Sequence, residues 1–342
     1  MILTSIGIMF TKWWCTVFSH HLTIRIHVGQ TVYITCDILL HFPLYLAQAH
    51  GTVGYMTGTV VNGDNLESLK KLESSSIQLI YTDPPFNTGD VQRMKRVKSK
   101  LNDSGSVGFA GSRYSHEIVS DISYLDSFSD YIDGWLGPRL QECHRVLTDD
   151  GTLYLHLDQR EVHYAKVYLD RLFGRQCFLN EIIWSYDFGG RGKRCWPKKH
   201  DNILVYVKDP DKYIFNYDDV DRIPYMAPDL AGPEKAAKGK FPTDVWWQTI
   251  VPTNGKERTG YPNQKPIQLA TRIIKASSHE NGTVLDFCGG SGTVGEASEH
   301  LNRHWILFES NEKAISVMKE RFDRAMPQSV INWQSNNQGI DK

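Results

Sequence analysis

One stretch limits the fold of this chain more than any other. Thr283-Val284-Leu285-Asp286-Phe287 runs without a break into Cys288-Gly289-Gly290-Ser291-Gly292-Thr293. A short apolar run with β-branched residues reads as a buried strand. The glycines after it let the backbone turn sharply and let a ligand approach the main chain. Thr293 to His300 then has helical spacing, so the unit is strand, glycine turn, helix. The same alternation runs from Met56 onward. Strand patterns at 59–62, 77–81, 152–157, 283–287 and 305–308 alternate with helical patterns at 66–72, 128–147, 161–173, 267–277, 293–300 and 312–324. Residues 181–186 and 202–207 read as a strand and its hairpin partner. This order predicts an α/β, doubly wound parallel sheet with helices on both faces.

The connections are uneven. Residues 87–120 are polar and rich in Gly and Ser, too long for a simple link, and are expected to be disordered or a functional loop. Residues 209–259 are irregular and carry many Pro and Gly, and the tail after Pro327 is polar and expected to be loose.

The glycine turn by itself suits adenosine, with Glu309 at the end of the next strand able to accept ribose hydroxyl hydrogens. Gly290-Ser291-Gly292-Thr293-Val294-Gly295 also spells the dinucleotide fingerprint, so an NAD-dependent oxidoreductase competes. That fold needs far more chain after the turn than follows Glu309.

A second turn follows the buried strand 77–81: Asp83-Pro84-Pro85-Phe86. Two prolines fix the backbone and remove two N–H donors, leaving carbonyls beside a carboxylate and an aromatic ring. An exocyclic amine on a flat base offers two N–H donors to such a group. Asp83 can accept one, the Pro84 carbonyl the other, and Phe86 can stack on the base. These hydrogen bonds draw the lone pair out of ring conjugation, so that it can attack a methyl sulfonium. The base must first leave the duplex. The plain alternative is an ordinary Asp-Pro turn at a strand end.

Composition excludes little. The six cysteines are scattered with no C-x-x-C pair, so neither a disulfide framework nor a zinc site is expected, and no metal site is read. Net charge is −1, but the footprint for nucleic acid is local. Two runs are basic, one with Arg93, Lys95 and Arg96 and one with Arg191, Lys193, Arg194, Lys198 and Lys199. Residues 1–55 are nearly free of acids, make a poor spanning helix and a weak signal peptide, and carry no functional reading. Met56 is read as the natural start, with an extension that packs on the domain as the alternative.

With both turns in hand, the sequence resembles the amino-group DNA methyltransferases of the permuted β arrangement, in which D-P-P-[YF] precedes the cofactor glycines. The resemblance covers about 60–324. Thr82 to Gly89 looks like the D-P-P-Y-N-T-G of type III modification subunits and their shorter relatives, and Asn62-Gly63-Asp64 like the motif near the cofactor adenine. Leu157 to His163 resembles I-D-D-x-E-x-x, Gly260 to Pro266 resembles Y-P-T-Q-K-P, and His200 to Tyr206 resembles H-E-x-I-L-V-Y. Two departures stand out. The family's F-x-G-x-G reads Cys288-Gly289-Gly290-Ser291-Gly292, with Phe287 one residue early, and His200 is followed by Asp.

The resemblance implies a circularly permuted Rossmann-like sheet. Residues 56–208 would be the catalytic half, 209–259 a small target-recognition insertion, 260–326 the cofactor half and 327–342 a flexible tail. It implies S-adenosyl-L-methionine as cofactor, held by Asp64, Lys265, Asp286, Phe287, Cys288, Gly289, Gly290, Gly292, Thr293 and Glu309. Asp83, Pro84, Pro85 and Phe86 would be catalytic, and the two basic runs would neutralise phosphates of double-stranded DNA. Asp before the prolines favours adenine N6, with cytosine N4 as the alternative and a non-catalytic DNA-binding partner subunit as a further one. A homodimer, a cognate restriction endonuclease and a cytoplasmic, membrane-free location (the nucleoid, or a host cell for a phage protein) complete the expectation.

Overall fold

The computed structural model describes residues 14–18, 21–25, 56–107, 113–189, 192–252 and 254–336. The chain divides into two compact units, Met1–Val53 and Gly54–Lys342. In the first, β1 (Trp14–Phe18) and β2 (His21–Arg25) form an antiparallel pair, with Val17 opposite Leu22.

The second unit opens with β3 (Met56–Asn62), α1 (Asn65–Lys71) and β4 (Ile77–Thr82). A long antiparallel hairpin follows, β5 (Asp90–Val107) and β6 (Arg113–Asp126), in place of the disorder or loop expected at 87–120. A π-helical turn at Tyr131–Leu136 leads into α2 (Gly137–Val146), where a single helix over 128–147 was expected. Pro138 lies in the first turn of α2 and has no N–H to extend the ladder backward, so the turn before it widens.

Next come β7 (Leu147–Leu157), α3 (Val162–Leu172), β8 (Phe178–Ser185) and β9 (His200–Val207). The expected irregular segment holds two short helices, α4 (Pro228–Ala231) and α5 (Pro233–Lys238), and a strand, β10 (Val245–Trp247), that joins the main sheet. Then follow α6 (Ile267–Ser277), β11 (Thr283–Asp286), α7 (Thr293–His300), β12 (His304–Glu309) and α8 (Glu312–Ala325). The tail expected to be flexible over 327–342 instead carries β13 (Val330–Ser335), parallel to β3. Trp333 packs on Phe322 of α8 with ring centres 6.2 Å apart, so the tail covers the sheet edge with one of its few apolar side chains.

Among the described residues the main sheet has nine strands in the order β10-β8-β9-β7-β4-β11-β12-β3-β13. All pair in parallel except β9, which is antiparallel to β7 and β8. Both faces are buried, which is why the strands read as nearly continuous apolar runs. Ile77 and Ile80 of β4 pack with Leu69 of α1, Leu140 of α2 and Leu169 of α3 on one face. Leu79 and Tyr81 pack with Ile273 of α6, Val294 of α7 and Met318 of α8 on the other. Each fully buried Leu or Ile stabilises by about 1.5–3 kcal/mol, and this two-sided core is what fixes the strand ends.

Permutation is visible in the centre. β4 and β11 lie side by side, Ile80 opposite Leu285, although some two hundred residues of chain separate them. Their carboxyl ends, and hence the turns at Asp83 and Cys288, share one edge of the sheet. In open α/β sheets that edge is where ligands bind.

Candidate active site

Strand β4 drives Thr82 into the core and stops at two prolines, because neither can donate to a neighbouring strand. The turn beyond it is clamped from several elements. The Tyr131 hydroxyl donates to the Pro85 carbonyl at 2.5 Å. Asn87 adopts left-handed backbone, φ 55°. Its amide N donates to Asp126 Oδ1 at 2.6 Å, its side-chain Nδ2 donates to Glu161 Oε1 at 2.7 Å, and its Oδ1 accepts from Phe128 N at 2.9 Å. Thr88 Oγ1 donates to Asp126 Oδ2 at 2.7 Å. Asp126 is thus a buried brace for the Asp83-Pro84-Pro85-Phe86 turn that sequence reasoning missed. It lay between the stretch read as disorder or loop and the helical pattern that starts at 128.

Asp83 has two unlike oxygens. Oδ2 receives the Lys265 ammonium. Oδ1 is buried with no hydrogen-bond partner among the described residues. An orphan acceptor costs about 1–3 kcal/mol in a folded protein, and Oδ1 is open to a donor from outside. The same Lys265 Nζ lies 5.0 Å from the Phe86 ring centre. Lys265 was expected at the cofactor. It lines the cavity beside Asp83, and its ammonium pairs with Asp83.

Behind Phe86 sits His156, fully buried, with ring centres 6.0 Å apart and planes 30° apart. His156 Nε2 is 3.1 Å from Asp201 Oδ2, and Nδ1 is 3.2 Å from the Tyr81 hydroxyl. The Tyr186 hydroxyl donates to Asp201 Oδ1 at 3.0 Å. Burial raises Tyr81 and Tyr186 well above the usual phenol range, so both keep their protons to donate. Burial works against the Asp201 carboxylate, yet the hydrogen bond and charge of His156 hold it below the usual range. His156 was not singled out from sequence. Its only signal was one polar residue inside the apolar run Leu153-Tyr154-Leu155-His156-Leu157.

Beside Asp83 opens a cavity of about 450 Å³, within the range of small-ligand sites. Its floor is the glycine turn. Gly290 and Gly292 have φ of 51° and 78°, and a Cβ on Gly292 would lie 2.6 Å from the Phe322 ring, so only glycine fits there. Glu309 closes one side. Oε2 accepts from Gly290 N at 2.9 Å and Oε1 from Asn311 N at 2.8 Å. Burial raises the Glu309 pKa, opposed by those amides. Each oxygen keeps a further lone pair, which leaves room for a diol. Asp286 accepts from Cys288 N at 2.9 Å and is pushed by burial up to about 7.

Across the cavity stand residues that sequence reasoning missed. Arg139 lies 4.2 Å over the Trp135 ring and donates to Asn65 Oδ1 at 2.6 Å, to the Trp135 carbonyl at 2.7 Å and to Asp64 Oδ2 at 3.3 Å. Asn65 Nδ2 in turn donates to the Phe287 carbonyl at 2.9 Å and meets Cys288 Sγ at 3.5 Å. Trp135 and Phe128, 4.9 Å apart, supply an aromatic wall. Phe287 borders the cavity but is fully buried in the core. Asp64 borders it too, with Oδ1 capping α1 at Glu67 N, 3.0 Å. Thr293 is drawn to the Lys265 carbonyl at 3.2 Å and to Arg321 at 2.8 Å. Glycine backbone, a carboxylate placed for a diol, an aromatic wall and buried acids together fit a cationic adenosine derivative.

Of the expected DNA contacts, Lys193, Arg194 and Lys198 are exposed in the 192–199 segment. Ser185 lies opposite His200, and Leu157 opposite Asn202, so this segment leaves the same sheet edge as Asp83. Lys199 is paired with Asp187. Arg93, Lys95 and Arg96 are carried by β5, but their side chains lie outside the described residues, as does Arg191.

The family profile of N6/N4 methyltransferases described as "DNA methylase" matches residues 77–320. The chain is 32% identical over 268 residues to the type II methyltransferase M.HpaI of Haemophilus parainfluenzae, covering 78% of this chain and 75% of that protein. It is 30% identical over 280 residues to the DNA adenine methyltransferase YhdJ of Escherichia coli K12, covering 78% and 83%. The fold matches the cytosine-N4-specific PvuII DNA methyltransferase with a TM-score of 0.53 at 15% identity, over 81% of this chain and 95% of that one. It also matches M1.HpyAVI in complex with S-adenosylmethionine, with a TM-score of 0.50 at 19% identity, over 78% and 99%. The strand-end turns, their permuted order and these likenesses agree, and the chain belongs to the N6/N4 amino-group DNA methyltransferase family.

Proposed function

We propose that this DNA methyltransferase uses S-adenosyl-L-methionine to methylate adenine N6 of a base flipped out of double-stranded DNA. The observation that carries the reading is the buried, unpartnered Asp83 Oδ1 beside the glycine-floored cavity. The cofactor supplies an electrophilic methyl group on a sulfonium. The protein's own residues do the rest. Asp83 Oδ1 accepts one amine hydrogen and the Pro84 carbonyl the other, which localises the lone pair on nitrogen. Lys265 fixes the Asp83 carboxylate so that Oδ1 keeps its aim. Phe86 stacks on the base. Forming the N–C bond would break the methyl–sulfur bond, leaving a neutral thioether, and one amine proton goes to solvent. Glu309 would hold the ribose hydroxyls, and Trp135 and Phe128 would pack on the adenosine.

Adenine is supported by the Asp before the prolines and by the adenine-specific relative from Escherichia coli. Residues 209–259 serve target recognition, and Lys193, Arg194 and Lys198 take phosphates. Relatives named as type II methyltransferases support a companion restriction endonuclease. No helix among the described residues is long and apolar enough to cross a membrane.

The test is product analysis. The full chain is incubated with mixed-sequence DNA and methyl-labelled cofactor, and the DNA is digested and read by mass spectrometry. Labelled N6-methyladenine is the expected product. Labelled N4-methylcytosine would move the target base and leave the mechanism. No labelled base with intact cofactor binding would overturn the catalytic reading.

A further inference from the structure

We propose that His156 is a positioning residue for the target base: with Tyr81, Asp201 and Tyr186 it fixes the Phe86 ring at the angle from which that ring stacks on the flipped base. The proposal rests on the reading of Phe86 as the stacking residue.

The chemistry of the cluster points there. The Asp201 carboxylate can only accept, so His156 Nε2 must carry the hydrogen across the 3.1 Å contact. Nδ1 shares a hydrogen bond with the Tyr81 hydroxyl, 3.2 Å away. Tyr186 donates to the other Asp201 oxygen at 3.0 Å. Both ring nitrogens and both carboxylate oxygens therefore have a partner. Such a network rigidifies its surroundings, because no member can turn without orphaning a buried partner.

The ring is also boxed in by its neighbours. Tyr81 lies nearly parallel at 6.3 Å, and Trp184 meets it edge-on at 5.5 Å. Phe86 occupies another side at 6.0 Å. The sheet does not require this chemistry. Position 156 lies opposite Ile203, and an apolar side chain there would continue the run on β7 without burying an acid on β9. A second tie to the reacting group comes through Asp201. Its charge acts on Lys265, the same ammonium that pairs with Asp83 and lies over Phe86. His156 therefore sits where the aromatic and the acidic member of the catalytic turn are both set.

Wild type, Phe86→Ala, His156→Ala and Tyr186→Phe, each as the full chain, are compared by three readouts. These are cofactor Kd by calorimetry, kcat and KM for DNA in methyl transfer, and emission of 2-aminopurine placed at the target position of bound DNA. In His156→Ala, kcat is expected to fall roughly tenfold to a hundredfold, as for a reacting group displaced by about an ångström. Cofactor Kd and KM for DNA should stay within about threefold by the same reasoning, and emission should rise as stacking is lost. Tyr186→Phe should move kcat and emission the same way by a smaller factor. It keeps the ring and the packing, so it carries the test if His156→Ala does not fold. If Phe86→Ala changes emission while His156→Ala and Tyr186→Phe leave kcat and emission at wild type, the proposal is overturned and the stacking role of Phe86 stands. Lost cofactor affinity and thermal midpoint with kcat retained per folded molecule also overturns it, because that is a structural role. If Phe86→Ala leaves kcat and emission unchanged, the reading of Phe86 fails and the proposal fails with it.

Discussion

Asp83 and Asp286 lie at the ends of neighbouring strands, and their surroundings give them different tasks. Among the described residues, Asp83 has a cation on one oxygen and no hydrogen-bond partner on the other. Replacing it by Asn keeps the shape but puts an amide where an acceptor is needed. Asp83→Asn is expected to lower kcat by about a hundredfold to a thousandfold, the usual cost of removing one preorganised polar partner of a reacting group. Cofactor Kd should move little, and calorimetry checks this. Strong loss of cofactor binding would remove Asp83 from the target base. Asp286 is pushed by burial up to about 7, from near 4 in an unfolded chain. A raised carboxylate pKa penalises the folded state as pH climbs from about 4 to about 7, and the penalty is constant above that. A cationic ligand beside Asp286 favours the ionised form. Cofactor affinity should therefore weaken as pH falls below about 7, with proton release on binding near pH 6. Calorimetry in two buffers of different ionisation enthalpy reads that proton, and Asp286→Asn should abolish it. Equal affinity at pH 6 and pH 8 would detach Asp286 from the cofactor's charge.

At the scale of elements, the glycine turn and the edge strand matter for opposite reasons. Gly292 starts α7 from left-handed backbone, and a Cβ there meets the Phe322 ring of α8 at 2.6 Å. Gly292→Ala is expected to cost about 1–3 kcal/mol through overpacking and to lower cofactor affinity, because the floor of the site must shift. Urea unfolding with cofactor titration checks both. β13 is the last strand of the sheet. Trp333 is 37% exposed, so Trp333→Ala should cost less than the 3–5 kcal/mol of a buried tryptophan, about 1–2 kcal/mol, with kcat unchanged. Sequence reading took this tail for loose chain because only Val330, Ile331 and Trp333 point to a strand. It took 87–120 for disorder or a functional loop because the first strand is polar and the stretch is rich in Gly and Ser. Strand β10 was missed for its length, three residues that count only because β8 lies beside them.

At the scale of the whole molecule, net charge of −1 neither supports nor excludes a nucleic-acid partner, so the footprint to test is a local one. Lys193, Arg194 and Lys198 are exposed on a segment that leaves that edge. Changing all three to Gln should lower the slope of log affinity against log salt by about 3 if each meets a phosphate. Fluorescence anisotropy across a salt series measures it, and an unchanged slope would take the segment off the DNA. Cofactor affinity should not change.

What the sequence determined by itself was whatever is local. Hydrophobic runs fixed the central strands, since both faces of the sheet are buried and demand apolar residues regardless of neighbours. Prolines after Asp83 and glycines after Asp286 fixed two strand-end turns, because backbone freedom is a property of single residues. Their order along the chain fixed the permutation. Tertiary structure alone decided the pairing of Lys265 with Asp83, the brace of Asp126 on Asn87 and Thr88, the reach of Arg139 to Asn65, and the network that holds His156 against Phe86. Each joins residues tens to hundreds of positions apart. No local preference encodes such contacts, because each forms only when strand register and helix packing bring the two segments to one edge of the sheet.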